Sequence, residues 1–97
     1  MITRIVRMHF RPEERQAFLN IFNASKDLIR HFDGCQHLRL YNEAGRPEVF
    51  FTFSVWESAA HLDAYRNSQL FEETWTRTKA LFADKPQAWS MQELETV

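Results

Sequence analysis

The chain is short of the residues from which loops are made, with two glycines and three prolines among 97 residues. Few irregular connections can be built from so small a supply, so most of the chain is expected in helices and strands. A single cysteine, Cys35, excludes an internal disulfide and suits a reducing compartment. No sign of charge dominates: twelve Lys and Arg against thirteen Asp and Glu leave a formal net charge of −1. That balance lacks the basic footprint of a nucleic-acid binder or of a protein drawn to anionic lipid. Long apolar runs are missing too. The longest free of charge, Val49 to Trp56, is far too short to cross a bilayer. The first ten residues carry Arg4 and Arg7 among their apolar side chains, which is unlike a secretory leader. The expectation is a soluble, cytoplasmic domain spanning residues 1–97, because 11.6 kDa holds one core and no more.

Familiar chemical motifs are absent as well. The two glycines stand alone, so no Gly-rich loop cradles a phosphate. His9, His31, His37 and His61 show no ligand spacing with Cys35 or with paired acids, so no metal site is expected. No serine sits in a nucleophile elbow. Glu13-Glu14 and Glu72-Glu73 are helix neighbours that point apart, and read as solvated faces.

Aromatic residues, by contrast, are plentiful: nine Phe, three Trp and two Tyr. Each ring buries about 150–250 Å², more in total than one small core comfortably hides. The surplus calls for a partner surface or a ligand pocket.

Periodicity lays out the elements. Residues 2–10 alternate, with Ile2, Val6, Met8 and Phe10 on one side, which is a half-buried strand. Pro12-Glu13-Glu14 reads as a helix start, and Phe18, Ile21, Phe22, Ser25, Leu28, Ile29 and Phe32 make its apolar stripe up to a stop at Gly34. A second strand covers about 35–42, with Leu38 and Leu40 facing one way and His37, Arg39 and Tyr41 the other. The turn at 43–47 leads into a third strand, 48–56, apolar on both faces. Ser58 and Ser68 are placed to cap two consecutive helices, one carrying Leu62 and Tyr65, the other an apolar stripe of Leu70, Phe71, Thr74, Trp75, Thr78, Leu81 and Phe82. Asp84-Lys85-Pro86 stops the second of these, and residues 88–94 form the expected last strand. The order β-α-β-β-α-β, with the second helix split, predicts a ferredoxin-like α+β fold: a four-stranded antiparallel sheet with helices on one face. A third strand apolar on both sides predicts a homodimer stacked through the open sheet face.

The run from Phe51 to Phe71 (FTFSVWESAAHLDAYRNSQLF) resembles the central signature of antibiotic-biosynthesis monooxygenase domains. In that signature a strand ends in an aromatic-Trp-x-Ser, a helix carries an aromatic, and Ser-x-x-Phe opens the next helix. The first strand, the Pro-Glu helix start and the stop at Phe32-Asp33-Gly34-Cys35 are similar to the family as well. The resemblance implies a dimeric α+β barrel with a pocket between sheet and helices in each subunit. It also implies oxygenation of electron-rich phenols, such as anthrones and hydroquinones, without metal or flavin. Such phenols, once deprotonated, pass an electron to O₂ themselves. The family also includes haem degraders and proteins without known activity. The haem-degrading branch places Asn, Trp and His where this chain has Arg4, Tyr65 and Trp75, and the replacement of the axial His disfavours that chemistry. No cofactor is therefore expected.

Oxygenation in such a pocket asks for apolar walls, a group that favours the phenolate, and donors for a developing oxygen anion. Arg4, on an otherwise apolar strand face, is the candidate for holding a phenolate or carboxylate. Tyr65 and Trp75 each join an apolar body to a polar donor, and these three form the candidate catalytic set. His37 is the candidate base, and Phe22, Phe51, Phe53 and Phe71 with it make the candidate substrate-binding set. Each also has a plainer role: Arg4 as a stem paired to a helix carboxylate, Trp75 as core, His37 and the Phe50–Phe53 stretch as interface. On that alternative the chain is a ligand-binding or structural homodimer without turnover.

Overall fold

The alternating first strand takes the centre of the sheet. In the computed structural model, which describes all of residues 1–97, β1 (Ile2–His9) pairs antiparallel with β3 (Arg46–Trp56) on one side and β4 (Gln87–Met91) on the other. β2 (Cys35–Glu43) pairs antiparallel with β3, giving the order β2-β3-β1-β4. The helices α1 (Arg15–Arg30), α2 (Ala59–Arg66) and α3 (Gln69–Lys79) complete the β-α-β-β-α-α-β sequence of elements. The protein has the ferredoxin-like α+β fold that the periodicity predicts, the second helix being split at Asn67-Ser68. The observed α3 ends at Lys79, before the Leu81 and Phe82 of its expected stripe. No helix is long and apolar enough to cross a membrane.

Local chemistry accounts for the boundaries. Pro12 opens a single 3₁₀ turn, Pro12–Glu14, and the α-helix proper starts at Arg15, later than the proline suggests. The Ser58 hydroxyl accepts from the His61 amide at 3.2 Å, and the Ser68 hydroxyl accepts from the Phe71 amide at 3.1 Å. Each satisfies an amide that has no partner in its own helix. Gly34, at φ +86°, turns the chain from α1 into β2, and its carbonyl accepts from the Glu57 amide at 2.8 Å. A side chain there would collide with the His61 ring, so glycine is required twice over.

Two irregularities in β2 set which side chains face where. Cys35 pairs with Trp56 but His37 pairs with Val55, so the strand bulges between them and Cys35 and His37 face opposite sides. At the hairpin, Glu43 faces Arg46 while Asn42 faces Phe50, and the Asn42 amide fills the irregularity by donating to Val49 O at 2.7 Å and Pro47 O at 3.1 Å. The last strand stops at Met91 rather than Leu94, because Met91 pairs with Thr3 and β1 has almost no residues left to pair beyond it.

The helix-covered face holds two buried clusters. Met8, Phe10, Phe18 and Phe50 form one, with the Phe10 and Phe18 rings stacked at 4.3 Å; Cys35, Trp56 and Leu62 form the other. The opposite face is apolar and uncovered, with Ile5, Phe51, Phe53 and Val55 beside Trp89 and Met91, the last two each 44% exposed. Only 12 of the 97 residues are buried, fewer than a finished core of this length leads one to expect, and the open face is where further burial is available.

Candidate functional site

The helices do not close down on the whole sheet. Between the two clusters lies a cavity of about 330 Å³. Strand period 2 gives it a floor: Arg4, Val6 and Met8 from β1, and Thr52, Ser54 and Trp56 from β3, all point to the same side. Helix period 3.6 gives it a roof, with Phe22, Ser25 and Ile29 from α1, Leu62, Tyr65 and Arg66 from α2, and Phe71, Trp75 and Thr78 from α3. Most of the lining is apolar, and no Asp, Glu or His belongs to it.

Arg4 stands in register between Ser54 and Ser90 of the flanking strands and donates from Nη1 to Ser90 Oγ at 3.0 Å. No carboxylate lies within ion-pair distance, so the helix partner that would make Arg4 a structural ion pair does not exist. Burial, and then the like charge of Arg66, pull its pKa down from the ordinary guanidinium value. A guanidinium nonetheless stays charged, so the cavity holds a fixed cation without a protein counter-ion.

Tyr65 is gripped by rings. It stacks on Trp56 at 4.8 Å and meets Phe32 at 5.4 Å and Phe71 at 5.3 Å edge-on. Its hydroxyl makes no hydrogen bond within the protein. Since no fully buried side-chain nitrogen or oxygen lacks a partner, that hydroxyl retains open space, which the cavity provides. Desolvation, and after it the neighbouring Cys35, raise the Tyr65 pKa well above the usual phenol range, so it remains a protonated donor. Trp75 stacks with Phe71 at 5.8 Å and meets Phe82 edge-on at 5.5 Å, while its indole N–H also makes no bond within the protein. Other hydroxyls at the cavity are turned back on the chain: Ser25 donates to Ile21 O and Thr78 to Thr74 O, each at 2.8 Å. Ser54 Oγ accepts from Trp56 Nε1 at 2.9 Å.

Five of the eight residues singled out from the sequence, Arg4, Phe22, Tyr65, Phe71 and Trp75, are thus brought to one cavity. The other three are not. Phe51, Phe53 and His37 face away from it, because odd positions of β3 point to the open sheet face and His37, paired with Val55 and next to the cavity-lining Leu38, points there too. His37 therefore loses its place as base, and Phe51 and Phe53 belong to the uncovered surface. The sequence reading missed Arg66. Its signal was the i, i+3, i+4 spacing of Leu62, Tyr65 and Arg66, which sets all three on one side of α2. No histidine lines the cavity, so the residues present do not fit a haem held by an axial imidazole. No three His, Cys, Asp or Glu side chains converge as a metal cage.

Sheet, helices and cavity together define a ferredoxin-like α+β domain with an aromatic-walled cavity between its layers. The chain belongs to the antibiotic biosynthesis monooxygenase family, whose model matches residues 1–77. Solved structures agree in fold. One described as an antibiotic biosynthesis monooxygenase superposes with a TM-score of 0.92 at 18% identity, covering 98% of this chain and 100% of that one. A conserved protein from Methanosarcina mazei superposes at 0.90 and 20% identity, covering 96% and 93%. A Mycobacterium tuberculosis protein does so at 0.90 and 23%, covering 98% and 96%. No curated protein matches the sequence.

Proposed function

We propose that the protein is a cofactor-independent monooxygenase that oxidises an electron-rich phenol, of the anthrone or hydroquinone kind, in this cavity. The observation that carries the reading is the character of the space: apolar walls, a cation without counter-ion, and two unbonded donors, Tyr65 and Trp75. Arg4 stabilises the phenolate, and the low-dielectric walls strengthen that attraction. With no carboxylate or imidazole in the lining, the phenol proton leaves to water, and the cation makes that loss easier by lowering the phenol's pKa. The phenolate passes one electron to O₂, the resulting pair joins as a carbon-bound peroxide, and elimination of water leaves a carbonyl. In balance, R₂CH₂ + O₂ gives R₂C=O + H₂O, with the substrate as the only reductant. Tyr65 and Trp75 donate to the oxygen anion as it forms. The working unit is a homodimer joined through the open sheet face carrying Phe51, Phe53, Trp89 and Met91, which leaves both cavities, on the other side of each sheet, free.

A second reading is favoured by one observation, the lack of any acid or base in the lining: a homodimer that binds an aromatic molecule without turnover. Oxygen uptake by chelator-treated protein with a panel of hydroquinones and anthrones separates the two. The oxygenase reading expects uptake well above autoxidation that falls in folded Arg4→Ala. Uptake at the autoxidation rate across the panel, with saturable binding of the same compounds, establishes the second reading instead.

A further inference from the structure

We propose that Arg4 and Arg66 together form an anion subsite in the cavity, and that the natural ligand is an aromatic carboxylate, a phenol that also carries a carboxyl group. The proposal rests on the reading of this cavity as the substrate site, and not on the oxygenase chemistry.

Both arginines line the same space from different layers, Arg4 from the central strand and the more exposed Arg66 from the last turn of α2, at the cavity's solvent side. Two of the nine arginines pair with acids, Arg11 with Glu13 and Glu14 and Arg46 with Glu43 and Glu48, and of the seven that do not, Arg4 and Arg66 are the two that line the cavity. Neither Arg4 nor Arg66 has such a partner, and the cavity lining contains no acid to supply one. Two like charges sharing an apolar space repel, and an anion between them reverses the sign of the interaction. Their coupling is real enough that the charge of Arg66 helps to depress the Arg4 pKa.

Geometry leaves the donors available. Of the five N–H groups on a guanidinium, Arg4 commits one, to the neutral Ser90 hydroxyl, and its strand neighbours Ser54 and Ser90 are too small to cover the rest. Arg66 makes no side-chain hydrogen bond, and the C-terminal end of α2 steadies its charge without satisfying its donors. A planar carboxylate accepts from such forks with two oxygens at once. The aromatic half of the ligand follows from the roof over Arg4, where Tyr65, Phe71 and Trp75 present faces and edges. Size limits it further: at about 30 Å³ per water, the space equals roughly eleven waters, enough for one or two fused rings and a carboxylate.

Calorimetric titration of the full-length chain with 1-naphthoate and with its near-isosteric neutral partner 1-naphthamide tests this. Neither probe is a phenol, so the outcome does not depend on turnover. Naphthoate is expected to bind about ten- to a hundredfold more tightly than naphthamide, the range of charge-assisted pairing. Arg66→Gln, an exposed site that tolerates the change, removes most of that preference, leaves naphthamide within about twofold, and Arg66→Lys retains part of it. Equal binding of the two probes, a preference that survives both Arg66→Gln and Arg4→Gln, or no binding of either at millimolar concentration overturns the subsite. Failure of the oxygenase reading looks different: naphthoate binds as expected, and phenols still consume no oxygen.

Discussion

Tyr65→Phe separates what the cavity does from what holds it together. The ring contributes packing to Trp56, Phe32 and Phe71, while the hydroxyl contributes no bond to the protein. Removing the hydroxyl orphans no partner, so the usual loss of about 0.5–1.5 kcal/mol for a broken hydrogen bond does not apply. Stability should stay within about 1 kcal/mol of the wild type, and for a domain of this size that keeps Tm within about 8 °C. Tyr65→Ala deletes the ring as well, and should cost about 3–5 kcal/mol, as large-to-small changes among packed aromatics do. On function the order reverses: a pre-aimed donor lost from an oxygen-anion site costs about a hundred- to a thousandfold in kcat. Thermal unfolding beside oxygen-uptake kinetics reads both quantities on the same samples. If Tyr65→Phe unfolds as easily as Tyr65→Ala, the hydroxyl is bonded inside the protein and the description of the cavity is wrong. If it is stable and fully active, the donor role is wrong.

Three other outcomes follow from the same structure. Gly34→Ala places a side chain against the His61 ring at positive φ and should cost at least about 2–3 kcal/mol, whereas Gly45→Ala, with φ +82° and open space around it, should cost only the backbone term of about 1–2 kcal/mol; paired urea titrations compare them. Burial raises the pKa of both Cys35 and Tyr65 above the ordinary range, so as pH climbs past about 8.5–10 the unfolded chain loses protons that the folded chain keeps. Stability is therefore full below that window and falls as pH rises through it, a decline that Cys35→Ala combined with Tyr65→Phe should flatten in denaturant titrations at stepped pH. Trp89→Lys, at a 44% exposed position on the open face, should convert a dimer to a monomer in light scattering without loss of helix signal; an unchanged mass removes that face from the interface.

Much of the fold was legible because its signals are local. The alternation of residues 2–10, the stripe from Phe18 to Ile29 and the two capping serines each depend on neighbours a few positions away, and they appear where the pattern puts them save for Leu28, which lies 62% exposed at the edge of its stripe. The inward positions of Arg4, Phe22, Tyr65, Phe71 and Trp75 follow from the same periodicities. What failed depended on which face of the sheet the helices cover. Phe51 and Phe53 are as apolar as Phe50, and only parity against Arg4 and Met8 through the β1–β3 register assigns them outward. His37 alternates with Leu38, which lines the cavity, so its outward face follows once Leu38 is known to point in. Arg66 was passed over for its type: an arginine in the last turn of a helix serves the helix dipole so often that its spacing with Leu62 and Tyr65, which places it in the cavity lining, goes unread.

Cofactor-free oxygenation is tested most directly by tracing the oxygen atoms. Metal-depleted protein, a hydroquinone or anthrone substrate and ¹⁸O₂ are mixed in unlabelled water, and the product is weighed by mass spectrometry. Attack of the phenolate on O₂ inside the cavity predicts one labelled oxygen in the new carbonyl, formed faster than by autoxidation and slowed in Arg4→Ala. A product whose new oxygen comes from water, or whose rate is the same without the protein, contradicts it.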